Sequence, residues 1–164
     1  MGMKIKRKLI SKSKAGEVYF DWYPEEAVKK SMSAGGSAQK AWDRYLISEF
    51  EPYVPMETGT LIRSALLATV IGSGEVVYHT PYAKYLYYGK VMVDPVTGAA
   101  GFLTDDGWKS RRGVAKIATD RDLEYSEAAN PKAGPFWDRR AEVDRIEEWK
   151  KALAGIIARE MGGK

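Results

Sequence analysis

The most regular pattern of apolar and polar positions is helical and lies in the first half of the chain. Apolar residues recur there at three- and four-residue spacing, which places them on one face of a helix. The run Pro24-Glu25-Glu26 marks a helix start, Gly35-Gly36 is a break or a weakened turn, and Pro52 ends the pattern. The predicted apolar face consists of Ala38, Trp42, Tyr45, Leu46 and Phe50.

A second helix is predicted at the end of the chain. It begins at Pro135 and ends at Gly162-Gly163. Acidic and basic residues alternate on its polar side, with Glu147 and Lys151 at i,i+4 spacing. The predicted apolar face consists of Phe136, Val143, Ile146, Trp149, Leu153, Ile156 and Ile157.

Short runs with β character lie between these helices and before them. Residues 3–10 alternate imperfectly and predict a strand, and residues 18–22 form a second short run. Residues 66–71 and 75–78 flank Gly72-Ser73-Gly74, which predicts a hairpin. Pro81 then opens a short helical turn over residues 82–88, which Gly89 closes.

Between residues 90 and 131 the chain is rich in Gly, Pro and Asp. Such residues break regular elements. We expect a long, partly mobile loop excursion here with one or two small strands. Connections of this length are usually functional or disordered.

The order of elements predicts an α+β fold. A small antiparallel β-sheet is packed by one long helix from the N-terminal half and by a C-terminal helix, with a long loop insertion. A chain of 164 residues is sufficient for a single domain over residues 1–164. Within it we distinguish a basic N-terminal strand region at residues 1–22 and the loop excursion at residues 90–131.

The sequence offers little for catalysis. Cysteine is absent and His79 is the one histidine, which excludes disulfides and thiol chemistry and leaves little for zinc. Asp105-Asp106 and Asp120-Arg121-Asp122 are the carboxylates that a metal nuclease would use, but in such a loop they are more simply solvated turn residues. We therefore expect no enzyme, no cofactor and no metal. Apolar runs such as residues 65–71 fall far short of the about 20 residues that span a bilayer, so we expect no membrane partner.

The net charge of +4 is concentrated at the start of the chain. The first twenty residues contain six Lys or Arg and one acid, Glu17. This segment is either a basic arm that touches nucleic acid or an acidic partner, or a solvated edge strand protected by lysines.

Four tyrosines, Tyr82, Tyr85, Tyr87 and Tyr88, fall on one short predicted helix. Their angular positions spread around the helix axis, so they cannot all face the same core. Three uses remain open for them: stacking of nucleic-acid bases, anchoring of a protein partner, and core packing with the hydroxyls at the rim.

Three stretches carry a resemblance to a known family. They read Pro-Met-Glu-Thr-Gly-Thr-Leu-Ile-Arg-Ser at residues 55–64, Val-Val-Tyr-His-Thr-Pro-Tyr-Ala-Lys-Tyr-Leu-Tyr-Tyr-Gly at 76–89, and Asn-Pro-Lys-Ala-Gly-Pro-Phe-Trp-Asp-Arg-Arg at 130–140. Their order and spacing resemble the minor capsid proteins of long-tailed phages, which are similar in turn to tail-completion and head–tail joining (neck) proteins. The resemblance extends from about Trp42 to about Ala158.

The resemblance implies a structural virion protein, a minor capsid or neck component that acts in head–tail joining or tail completion of a tailed bacteriophage. Its partners would be other phage head and tail proteins, in a homo-oligomeric ring through which genome DNA passes. It would assemble in the bacterial cytoplasm and remain in the virion. The alternative is a small nucleic-acid-binding protein that uses the basic N-terminal arm and the tyrosines. The candidate motif and interface residues are Thr58, Gly59, Leu61, Tyr78, Pro81, Tyr82, Tyr85, Tyr87, Tyr88, Gly89, Pro135, Phe136 and Trp137.

Overall fold

A computed structural model of the chain describes residues 3–6 and 29–162, without the side chains of residues 3–6 and of Trp108. A helical stretch ends at residue 31, and a 3-10 turn, Glu51–Tyr53, follows the first long helix. The helices are α1 (Ser37–Phe50), α2 (Thr60–Ala68), α3 (Ala83–Tyr88) and α4 (Trp137–Gly162). The strands are β1 (Met3–Lys6), β2 (Glu75–Tyr78), β3 (Lys90–Val93), β4 (Phe102–Thr104), β5 (Gly107–Lys109) and β6 (Ile117–Asp122).

The α+β class is confirmed, and every described strand pair is antiparallel. The strands form three two-stranded sheets, β1 with β2, β3 with β6, and β4 with β5. In the first sheet Met3 lies opposite Tyr78 and Lys6 lies opposite Glu75. The strand predicted at residues 3–10 is thus present at residues 3–6. The run at 18–22, the helix start at Pro24 and most of the basic region at 1–22 lie outside the described residues.

The hairpin predicted between residues 66–71 and 75–78 is wrong. Thr60–Ala68 is a helix instead, and β2 pairs with β1 across a long sequence separation. Gly59 enters α2 with φ of 73°, and Leu61 and Ala65, four residues apart, face the core. A short apolar run fits a strand or a helix equally well, so its pattern alone did not decide between them.

The core lies between α1 and α4 and is largely aromatic. The predicted apolar face of α1 is confirmed, since Trp42 and Phe50 are buried against Trp149 of α4. Their ring centroids lie 6.4 Å and 5.9 Å from that of Trp149. The Trp149 indole N–H donates to Glu49 over 2.8 Å, and Arg145 pairs with the same carboxylate at 3.2 Å. Polar contacts at the edge of the aromatic core therefore set the two helices in one register.

The apolar face of α4 was predicted only in part. Trp149, Leu153 and Ile157, at successive four-residue steps, are buried as expected, and Ala141 continues the face toward Trp137. The exposed side chains of Val143 and Ile146 contradict the prediction, with 79% and 37% of their surface accessible. The helix itself begins at Trp137, two residues after Pro135.

A buried carboxylate fixes the turn that precedes β2. Asp43 of α1 is 1% exposed and accepts hydrogen bonds from the backbone N–H groups of Gly72 and Gly74, at 2.6 Å and 3.2 Å. The Gln39 side-chain amide donates to its other oxygen over 2.6 Å. This turn contains the glycines that were taken for a hairpin loop, and it is attached to α1.

Candidate interaction site

The second and third motif stretches meet in the structure. The ring of Tyr87, on α3, lies 5.1 Å from the ring of Phe136 and 5.0 Å from that of Trp137, centroid to centroid. The ring of Tyr78, on β2, lies 5.1 Å from Trp137 on another side. Edge-to-face pairs of this kind stabilise by about 0.5–1.5 kcal/mol each beyond the burial of their area. Residues that are about fifty positions apart in sequence thus form one cluster.

Hydrogen bonds fix the orientation of this cluster. The Tyr87 hydroxyl donates to Oδ1 of Asp138 over 2.8 Å, within the first turn of α4. The backbone N–H of Phe136 donates to the carbonyl oxygen of Tyr87 over 2.9 Å. Phe136 has φ of 49°, which a residue other than glycine adopts only where its surroundings hold it. The start of α4 is therefore attached to the end of α3 by rings, side chains and backbone.

Gly89 is required by the close approach of these two segments. Its φ is 70°, and a Cβ atom there would lie 2.8 Å from Cβ of Pro135 and 3.0 Å from Oη of Tyr125. The Tyr125 hydroxyl in turn donates to the carbonyl oxygen of Leu86 over 2.6 Å, and burial raises the pKa of Tyr125 to about 12. Tyr125 was not predicted as a site residue, because its position depends on strand pairing that its own sequence does not reveal.

The excursion returns to the body close to where it leaves. Gly89 packs against Pro135, and the backbone N–H of Leu123 donates to the carbonyl oxygen of Gly89 over 2.9 Å. The side-chain amide of Asn130 donates to the carbonyl oxygens of Glu51 and Val54, each over 2.8 Å. Both ends of residues 90–131 are thus attached to the same region of the molecule.

The tyrosines divide between the core and the surface. Tyr78 and Tyr87 are buried, at 1% and 8% exposure, and burial together with the nearby charge of Asp138 raises the pKa of Tyr78. Tyr82 and Tyr88 are 40% and 51% exposed, and Tyr85 is half-buried. Core packing therefore accounts for Tyr78 and Tyr87, whereas Tyr82 and Tyr88 are available for contacts.

The first motif stretch joins the second around an open groove of about 570 Å³. It is lined by the turn over residues 55–61, by Tyr82 and Leu86, and by residues 124–126. Arg63 fixes the turn by donating to the carbonyl oxygen of Thr58 over 3.0 Å. Among the predicted site residues, those that line this groove are Thr58, Gly59, Leu61 and Tyr82. Pro81 is exposed and lies two residues before α3 begins.

The excursion is more ordered than predicted, with four strands where one or two were expected. Its central contact is a bidentate ion pair, in which the Arg111 guanidinium donates to both carboxylate oxygens of Asp94, over 2.6 Å and 2.8 Å. The backbone N–H groups of Val96 and Thr97 also donate to Asp94. The hydrogen bonds from Arg111 and from these amides hold the pKa of Asp94 down at about 2. A cavity of about 300 Å³ lies beside this pair, so the side chains around the pair are not closely packed.

Two of the carboxylates weighed as nuclease ligands form ion pairs with lysines. Asp106 pairs with Lys109 at 2.7 Å, and Asp122 pairs with Lys90. Within residues 3–6 and 29–162, no group of three or more His, Asp or Glu side chains is arranged to hold a metal ion. His79 is exposed, and its backbone N–H donates to the Ser64 hydroxyl over 3.2 Å. In the same part of the chain no helix is long and apolar enough to cross a membrane.

Comparison with known proteins identifies the family. A family model described as minor capsid protein matches residues 25–156, which contain all three motif stretches, the aromatic cluster and the groove. Searches of the curated proteins and of the solved structures gave no match. The family match covers most of the chain, and the chain therefore belongs to the minor capsid protein family, as a structural protein of the phage virion that interacts with other phage structural proteins.

Proposed function

We propose that this minor capsid protein acts at the neck of the particle, in head–tail joining or tail completion. The observation that carries the proposal is the clustering of three distant motif stretches into one rigid unit that presents a groove and an exposed excursion. A joining protein needs a fixed body and separate surfaces for different neighbours. The body here is held by buried rings, and most of the groove lining and the whole excursion lie outside that core.

We further propose that copies of the chain form a ring with genome DNA passing through its centre. A ring requires a heterologous contact, in which two different surfaces of each subunit meet. The groove and the strands β4 and β5 of the excursion are two such surfaces. The net positive charge of the first twenty residues favours a position close to DNA or to an acidic neighbour.

The test of the neck assignment is a knockout of the gene in the phage that encodes this protein, followed by electron microscopy of the lysate. We expect separate heads and tails that fail to join, and leakage of DNA from the heads would assign the protein to the closure step. Intact infectious virions would contradict the assignment. The nucleic-acid-binding alternative would then be tested through its own signature, an affinity that falls steeply with salt.

A shortened chain tests the part of the proposal that concerns the excursion. Val93 lies opposite Ile117, so replacement of residues 94–116 by Asn-Gly closes β3 and β6 into a two-residue hairpin. We expect the melting temperature to change little, because the core is untouched, and head–tail joining to be lost. A shortened protein that folds and still supports joining would exclude the excursion from the joining contact.

A further inference from the structure

We infer that the tip of the excursion of one copy docks into the groove of the next copy. The tip is residues 94–117, and the groove is lined by residues 55–61, Tyr82, Leu86 and residues 124–126. This inference rests on the ring proposed above and names the contact that builds it. The partner of each surface is thus a second copy of the same chain.

The tip presents apolar side chains that its own fold leaves uncovered. Leu103 is 77% exposed, and Phe102 and Ile117 are 49% and 52% exposed. Phe102 and Leu103 are neighbours on β4 and point to opposite faces of the β4–β5 ladder, so both faces of this pair carry an exposed apolar residue. A two-stranded hairpin of three residues per strand is marginal in water by itself. A covering surface from outside the hairpin would stabilise it.

The groove has the matching composition. Met56 and Tyr82, which are 37% and 40% exposed, supply apolar surface together with half-buried Leu86, whereas Leu61 is buried in the core. The turn at residues 57–60 supplies polar groups. Its volume of about 570 Å³ lies within the range of about 300–1,000 Å³ that is typical of sites enclosing a bound group. A few side chains of the tip fit such a space, whereas a whole helix does not.

The tip and the groove carry net charges of opposite sign. The tip carries four basic residues and three acidic ones, counting Asp94, which pairs with Arg111, and this gives it a net charge of +1. The groove lining contains two acidic residues, Glu57 and Glu124, and no Lys or Arg. Both glutamates are exposed at the rim, where complementary charges steer association and fix the register of a contact. A basic tip and an acidic groove therefore attract each other.

The two surfaces do not overlap within one copy. Among the described residues, none that lines the groove belongs to the tip. Each copy can therefore offer its tip to one neighbour and receive the tip of another. Such a head-to-tail contact closes into a ring when its rotation divides the circle.

Cysteine cross-linking in assembled particles tests this contact, because the chain has no cysteine of its own. The variant carries Leu103→Cys in the tip and Ser126→Cys in the groove wall, and the particles are oxidised and analysed on a denaturing gel. We expect a ladder of covalent oligomers of this chain. Each single-cysteine variant, as a matched control, should give no ladder. A second version with Thr58→Cys in place of Ser126→Cys samples another part of the groove lining, in case the first variant does not enter particles.

Charge reversal in the groove provides a second readout on the same ladder. Glu57→Lys with Glu124→Lys should lower the cross-linked fraction at least about tenfold, because like charges then meet. Glu127→Lys, also exposed but not part of the groove lining, should leave the fraction unchanged. Particles that contain the protein and give only monomer from both cysteine pairs would overturn the inference while leaving the neck assignment to the knockout. A ladder in a phage whose knockout still joins heads to tails would support the contact and refute the neck assignment.

Discussion

The body and the excursion of this protein are stabilised in different ways. The body, α1 to α3 with β2 and α4, is built around buried rings such as Phe50, Trp137 and Trp149. The excursion buries only Val93 and Asp94 among its described side chains. It depends instead on backbone pairing and on the Asp94–Arg111 pair, with an open cavity beside it.

This difference assigns the stability of the protein to the body and its contacts with neighbours to the excursion. Segments with few buried apolar contacts open at low free energy, and contact elements are commonly drawn from them. The excursion can therefore adapt to a neighbour without loosening the rings that hold the body. A substitution in one region should therefore leave the other region largely unaffected.

The largest effect is expected for Trp137→Ala in the body. Trp137 is fully buried and contacts the rings of Tyr78 and Tyr87, so its loss leaves a cavity. We expect the free energy of unfolding to fall by about 3–5 kcal/mol, measured by urea denaturation. Leu103→Ala in the excursion is the control, with a change within about 0.5 kcal/mol. Similar losses in the two variants would contradict the separation.

An intermediate effect is expected for Gly89→Ala at the point where body and excursion join. A left-handed conformation costs a residue other than glycine about 1–2 kcal/mol, and the new Cβ would also meet Pro135. Gly98→Ala, in the excursion, introduces the same conformational strain with nothing within 4 Å of the new atom. Urea midpoints should rank Gly89→Ala below Gly98→Ala. Equal midpoints would mean that Pro135 moves aside freely.

The smallest effect is an acid-induced loosening confined to the excursion. Hydrogen bonds from Arg111 lower the pKa of Asp94 from an ordinary 3.8 to about 2 in the folded chain. A lowered folded-state pKa stabilises the excursion above about pH 4, and this contribution is lost as the pH falls toward 2. Hydrogen-exchange protection of residues 94–111 should decrease over that interval.

The control for the acid experiment is Asp94→Asn, which removes the titrating group. Its protection at residues 94–111 should already be low at pH 6 and should change little between pH 4 and pH 2. Asp120→Asn, an exposed carboxylate on β6, should behave as the unaltered chain does. A wild-type profile that stays flat below pH 4 would exclude the Asp94–Arg111 pair as the contact that orders the excursion.

The sequence predicted the long helices better than the short elements for a physical reason. The helical face of α1 repeats over fourteen residues, and a long periodic signal is robust against a single exception. The run at residues 66–71 is short, and Leu66 and Leu67 are exposed on α2 although they resemble buried strand residues. The strands β3 and β6 pair across more than twenty residues, which local patterns do not encode.

The sequence identified residues of the candidate site but did not predict how they are arranged in space. The motif stretches supplied Gly89, Pro135 and Phe136, yet nothing in their spacing showed that the glycine must lie against the proline. Tyr125 and Glu124, which help to line the groove, lie in a segment where the sequence predicted only loop. The functions of the site residues, like the extent of the single domain, remain predictions.

Both ends of residues 90–131 are attached to the body, so this segment can be replaced as a unit. Gly89 and Asn130 fix its entry and exit, so its interior can lengthen or shorten without moving α3 or α4. Each doubling of a flexible loop adds only about 0.6 kcal/mol of closure entropy. Sequence changes in this one segment can therefore alter the contact between particle components, while the remainder of the gene stays under selection for folding.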